Sequence, residues 1–185
     1  MKLIKAIEDV DLWLQSPAFF ELQIFLSKLF SSIKGRTLTE IEGFEPSMPD
    51  IYGKLLKLLQ GIDQLVNEIE LIPSDQRYGN KAFRTLITRM REEILHEAFI
   101  EYSDDSDSQQ YLTELLIGSF GDATRIDYGT GHELSFLIFV LVILQLSNPN
   151  DSKDNLLTEQ AYSKIAGILI GQKYLKLVRK IQARF

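Results

Sequence analysis

The sequence of 185 residues contains no cysteine, two histidines and one tryptophan. Without cysteine there is no disulfide framework, no thiolate nucleophile and no cysteine-bound zinc. His96 and His132 alone leave little for a histidine-rich metal site or a Ser-His hydrolase. Long hydrophobic runs are also missing. The longest extends from Phe136 to Leu144, well short of the ~18–20 residues a membrane span needs. The N-terminus acquires Glu8 and Asp9 before any apolar stretch forms, so it does not read as a signal peptide. Basic residues are outnumbered 20 to 26, for a net charge of −6. That balance argues against nucleic acid or an anionic membrane as main partner, since both need excess Lys and Arg. The composition reads as that of a soluble intracellular protein.

What is present is apolar and helical in period. Hydrophobic residues make up 45% of the chain, enough for a self-sufficient core at this length. Ile7, Val10 and Leu14 share a face of a short helix over 5–14. Ser16-Pro17 reads as a cap with proline at the first helical position. It opens a helix to about Lys34, closed by Gly35. Residues 36–47 read as a loop. Further helices are expected from about Asp50 to Leu71, Asn80 to Glu101, Tyr111 to Ile117, 131–147 and 156–183. Ser103–Ser108 reads as a solvated acidic loop without the glycine and glutamate of a calcium loop. Residues 148–155 read as a polar loop. The expectation is a single all-α domain over 1–185, a multi-helix bundle of about seven helices. Gly167 and Gly171 form a GxxxG that close packing between soluble helices explains.

Two segments depart from core logic. Arg77-Tyr78-Gly79-Asn80-Lys81-Ala82-Phe83-Arg84 gathers three cations around a Gly-Asn turn at a helix start. It is either an anion-binding or partner-docking corner, or a capped loop whose cations meet nearby acids. The second segment, 118–133, places four glycines between two apolar helices. Thr130-Gly131-His132-Glu133 matches a capping box, which sets a buried helix N-terminus at the end of the loop. Such an end favours an anion. Arg125 supplies a guanidinium suited to phosphate or carboxylate. Asp127 can hold Arg125, or accept from a ribose hydroxyl or a metal-bound water. His132 is the group there that titrates near neutral pH. A nucleotide or phosphate pocket and a structural loop with an internal Arg125–Asp127 pair both fit. The segment is neither a Walker A motif nor a Rossmann fingerprint.

Together, 77–85 and the stretch Thr124 to Glu133 resemble the phosphotyrosyl phosphatase activator family, the activators of protein phosphatase 2A, also classed as peptidyl-prolyl cis-trans isomerases. Lys34-Gly35-Arg36-Thr37-Leu38-Thr39 and Tyr174-Leu175-Lys176-Leu177-Val178-Arg179-Lys180-Ile181-Gln182 extend the resemblance over almost the whole chain. It implies an all-helical fold of core, linker and lid, and ATP bound in a deep pocket with magnesium. It also implies the phosphatase 2A catalytic subunit as partner, in cytoplasm and nucleus. By motif it assigns Arg125, Thr130 and Gly131 to the nucleotide. Arg77, Tyr78, Gly79, Asn80, Lys81, Arg84, Asp127, Tyr128, His132 and Glu133 take supporting or partner-facing places. The family pattern runs on past the position of Phe185 with its metal-binding aspartates and further helices. The expectation is therefore either a truncated activator or a fragment of a longer gene product, in both cases without magnesium ligands of its own, or alternatively a catalytically silent helical interaction module. Self-association through apolar faces of the helices at 131–147 and 156–183 is expected as well.

Overall fold

The computed structural model describes residues 6–73, 79–95, 98–99, 102, 105–125, 128–147 and 157–185. Among these there is no β-strand, as the all-α reading requires. Helix α1 spans Ile7–Leu14 and α2 spans Pro17–Ile33. Ser16 caps α2 by accepting from the Phe19 N–H at 3.2 Å, and its hydroxyl donates to the Trp13 carbonyl at 2.7 Å. One side chain thus ends α1 and starts α2. Leu22, Phe25 and Leu29 bury the inner face of α2 at helical spacing. Gly35 leaves the helix at φ 75°, a left-handed conformation that glycine adopts without a Cβ penalty.

The loop expected over 36–47 contains a helix. In α3, Leu38–Glu42, the Thr37 hydroxyl accepts from the Glu40 N–H while the Glu40 carboxylate accepts from the Thr37 N–H. This capping box outweighs the loop signal of Gly43 and Pro46. Ile41 from α3 then packs over Gly167, where an added Cβ would lie 3.1 Å from the Ile41 side chain. The first glycine of the GxxxG therefore serves close packing. Replacing Gly167 by Leu should cost about 1–3 kcal/mol through overpacking, read as a lower thermal midpoint by circular dichroism. An unchanged midpoint would mean that α3 moves aside freely.

Helix α4 is Asp50–Glu68 and α5 is Ala82–Arg89, which continues as a π-helical segment, Met90–Leu95. Arg89 donates to Glu68 and Glu93, joining α4 to this segment. Helix α6, Ser106–Gly118, begins earlier than expected. Asp105 is its N-cap and accepts from the N–H groups of Asp107 and Ser108, so part of the acidic stretch is a helix start rather than a loop. Helix α7 is Thr130–Ser147. The polar loop read over 148–155 lies outside the described residues. Helix α8, Glu159–Lys164, a π-helical segment, Ile165–Tyr174, and α9, Leu175–Arg184, form one rod. Counting that rod once, eight helices stand among the described residues.

The buried side chains of α2 and α4 to α9 form one connected core cluster. Helix α7 packs mainly on α6 and touches α2 and α4. By length and composition α7 is apolar enough to cross a bilayer, a test that a central core helix also meets. Here Phe136, Phe139, Val140, Leu141, Ile143 and Leu144 are buried. Exposed large apolar side chains are not concentrated where expected. Leu134 and Leu146 are the two on α7, and the described residues of the C-terminal rod have none. They gather instead on α1 and α2, at Ile7, Leu12, Leu14, Phe20, Ile24 and Phe30. The rod keeps its apolar face inside because the core cluster absorbs Leu169, Tyr174, Leu177, Val178 and Ile181.

Candidate functional site

The connection between α6 and α7 opens a cleft of about 580 Å³. Its shape follows from a few backbone decisions. After the buried Ser119 and Phe120, the chain turns at Gly121 with φ 125°, a region that side chains rarely enter. Asp122 then closes a turn. Its Oδ1 accepts from the N–H groups of Thr124 and Arg125, each at 2.8 Å. These bonds, that from Arg125 first, hold the Asp122 carboxyl below the usual carboxylate range. Its Oδ2 lies 3.6 Å from Arg125 Nε. The turn thus presents Arg125 on the cleft wall with its side chain 66% exposed.

Arg84 holds this turn from outside. Its Nε donates to the Ala123 carbonyl at 3.0 Å and its Nη2 to that of Thr124 at 3.2 Å. The two segments singled out from sequence therefore meet, and Arg84 is a positioning residue. Asn80 works locally: its side chain accepts from the Ile72 and Ala82 N–H groups and donates to the Ile72 carbonyl. Gly79 carries φ 68°. Lys81 is exposed one residue before α5 and does not line the cleft. Arg77, Tyr78 and Asp127 lie outside the described residues.

The opposite wall is the first turn of α7, with Thr130, Gly131 and His132. The helix already includes Thr130, because the Gly129 carbonyl accepts from the His132 N–H at 2.9 Å. Thr130 thus stands inside the first turn rather than before it, one position later than the capping-box reading places it. The Thr130 and Gly131 amides have no partner inside their own helix, so this end carries partial positive charge toward the cleft. The space over the Gly131 Cα is open. His132 Nδ1 lies 2.5 Å from the Gly118 carbonyl. A carbonyl only accepts, so Nδ1 carries the proton. The Tyr128 ring stacks on His132 with centroids 5.2 Å apart. Burial raises the Tyr128 hydroxyl above its ordinary range, and the charge of nearby Glu133 adds to that.

Beneath both walls stands Tyr174, from the π-helical segment of the rod. Its hydroxyl donates to the Ser119 carbonyl at 2.7 Å and lies 3.1 Å from the Tyr128 hydroxyl and 3.3 Å from the His132 carbonyl. Its ring stacks on Phe136 with centroids 3.8 Å apart. Burial, then the contact with Tyr128, pushes its hydroxyl pKa far up, so the group is neutral and donates. Asp122 and Tyr174 received no role from sequence. The Asp-x-x-Arg spacing of an Asx turn signals the first. The partners of Tyr174 sit 42 to 55 residues away, which no local pattern reveals.

The arrangement suits an anion. It offers a guanidinium, a helix N-terminus, room for backbone approach and an aromatic side. Among the described residues no group of three or more His, Asp or Glu side chains converges on a metal position. The donors on the two walls fit phosphate oxygens.

A sequence profile described as phosphotyrosyl phosphate activator (PTPA) protein matches residues 1–185, the whole chain. The chain belongs to this family. A serine/threonine-protein phosphatase 2A activator of Drosophila melanogaster is 36% identical over 187 residues, covering all of this chain and 43% of that protein. Activator 2 of Neurospora crassa is 30% identical over 190 residues and 39% of its length. Activator 1 of Schizosaccharomyces pombe is 30% identical across 82% of this chain and 46% of its own. This activator-family chain thus spans less than half the length of these curated relatives.

In this family member Gly131→Val offers a clean separation of fold from site. A Cβ at 131 meets no neighbour, and valine is no worse than glycine in a helix. Thermal stability should therefore hold while anion binding in the cleft falls by about tenfold or more, as the isopropyl group fills the approach to the backbone. Thr130→Ser should leave binding nearly unchanged. Inorganic phosphate or ATP titrated by NMR reads both. A variant that melts early, with binding intact in its folded fraction, would make Gly131 structural.

Proposed function

We propose that this chain is an activator and folding factor of protein phosphatase 2A-like catalytic subunits, working in a nucleotide-dependent way. The observation that carries this reading is the convergence of Arg125 and the first turn of α7 on one cleft, in a chain whose relatives are named phosphatase 2A activators. Arg125 would pair with a nucleotide phosphate, and the α7 amides would take a second oxygen. Gly131 leaves the clearance that such contact needs, and the Tyr128–His132 ring pair would form the side against which a base or ribose packs. ATP supplies the charge that organises the cleft. Magnesium would accompany the nucleotide by the same family resemblance. Prolyl cis-trans isomerase activity belongs to the same reading by family resemblance, as does residence in cytoplasm and nucleus.

The test is capture of a phosphatase 2A catalytic subunit by the purified chain, with phosphatase activity measured with and without ATP. Capture with ATP-dependent activation is the expected result. Capture without activation would favour the silent interaction module, and no capture in either condition overturns both. A proline-peptide assay with and without ATP separates isomerase activity from activation.

A further inference from the structure

A second recess, of about 460 Å³, runs between α4 and the C-terminal rod and shares no residue with the cleft above. Its floor is apolar: Leu59 and Leu177 are buried and Leu56 is half-buried. Lys173, Lys176 and Lys180 line its rod side. Lys180 is committed to Asp63, the one acid in the recess, at 2.5 Å. Lys173 and Lys176 are exposed and meet no acid among the described residues.

The setting makes this rail unusual. The chain is net −6, yet residues 160–185 hold six cations and no acid. An acidic segment is repelled by the chain as a whole and attracted here, which is how charge specifies where and in what register a partner docks. Seven residues separate Lys173 from Lys180, so the rail is about 10 Å long, or two helical turns. A leucine-floored recess between two helices takes apolar side chains from a third element. A flat anionic membrane would reach the lysines but not the floor, and two uncommitted lysines fall short of the ~4–8 that mark lipid-binding clusters.

We propose that the recess between α4 and the C-terminal rod docks an acidic peptide segment of a protein partner, about two helical turns long, with leucine-like anchors on the floor and carboxylates on Lys173 and Lys176.

The probe is a fluorescein-labelled peptide carrying Leu at i and i+4 with Glu at the flanking positions, titrated against the full chain by anisotropy. It should bind at least about tenfold more tightly than its Gln-substituted counterpart. The difference should shrink between about 50 and about 300 mM salt, as screening of surface charges requires. Lys173→Glu/Lys176→Glu should abolish the preference. Lys34→Glu, a charge reversal at the exposed end of α2, should leave it intact. Should the double reversal fail to fold by circular dichroism, Lys173→Gln/Lys176→Gln serves in its place. Equal binding of both peptides, no binding, or insensitivity to the lysine variants overturns the proposal. So does loss of phosphatidylserine-vesicle binding in the same variants when the peptide never binds. Because the first cleft is untouched, failure here leaves the nucleotide reading standing.

Discussion

Arg125→Ala should weaken binding of a labelled ATP analogue by about tenfold to hundredfold while the thermal midpoint stays within a degree or two of wild type. The range follows from a lost charged hydrogen bond, worth about 1.5–3 kcal/mol. The guanidinium is two-thirds exposed, and its ion pair with Asp122 is a loose contact in solvent, so its removal should cost the fold almost nothing. The turn itself survives, because Asp122 binds the backbone N–H of residue 125 and not its side chain. Arg125→Lys should recover only part of the affinity, since a point charge replaces a planar fork. Equal affinities for wild type and Arg125→Ala, or no binding by either, would remove the nucleotide from this cleft.

Tyr174 should behave in the opposite way, with stability falling first. Tyr174→Ala removes a fully buried ring stacked on Phe136 and set edge-on to Phe120. Deleting a buried aromatic side chain costs about 3–5 kcal/mol, a large share of the ~5–15 kcal/mol that holds a typical domain together. At roughly 2–4 °C per kcal/mol for a chain of this size, the thermal midpoint should drop by about 6–20 °C. Tyr174→Phe keeps both ring contacts and removes only the hydroxyl. It leaves the Ser119 carbonyl without its donor, a loss of about 1–3 kcal/mol. It also takes one of its partners from the Tyr128 hydroxyl, so phosphate binding in the cleft should weaken beyond what the stability loss explains. Unchanged stability and unchanged phosphate affinity in Tyr174→Phe would show that the hydroxyl holds neither wall.

The elements easiest to read from sequence were those whose cause is local. Ser16-Pro17 caps and starts α2 as its residues demand, and the apolar face of α2 is buried at the expected spacing. The Gly-rich stretch before α7 forms a cleft at a helix start, with Arg125, Tyr128, Thr130, Gly131 and His132 on it. In two places one sequence signal masks another. Gly43 and Pro46 hid the Thr37–Glu40 box of α3, and the density of acids around 103–108 hid the N-cap role of Asp105. The π-helical segments were not legible, because apolar spacing does not separate a π turn from an α turn over so few residues. Nor was the Arg84 clasp, whose acceptors are backbone carbonyls 39 and 40 residues away and carry no side-chain signature. The exposed apolar surface on α1 and α2 escaped for a similar reason. Ile7 and Leu14 share a helical face with Val10, and spacing alone does not say whether a neighbour covers that face.

The Arg84 clasp has a consequence for which sequences this site can accept. Its two bonds go to main-chain oxygens that every residue type carries, so they constrain the path of the turn and not its letters. Substitutions at Ala123 and Thr124 that keep the backbone conformation should pass almost unnoticed. Position 84 has no such latitude, since two successive carbonyls need two N–H groups at a fixed angle, and lysine cannot supply that fork. The turn that carries Arg125 is therefore written at two distant addresses. Its shape is held jointly by Asp122 within the turn and by Arg84 on α5, and its chemistry lies on the turn itself.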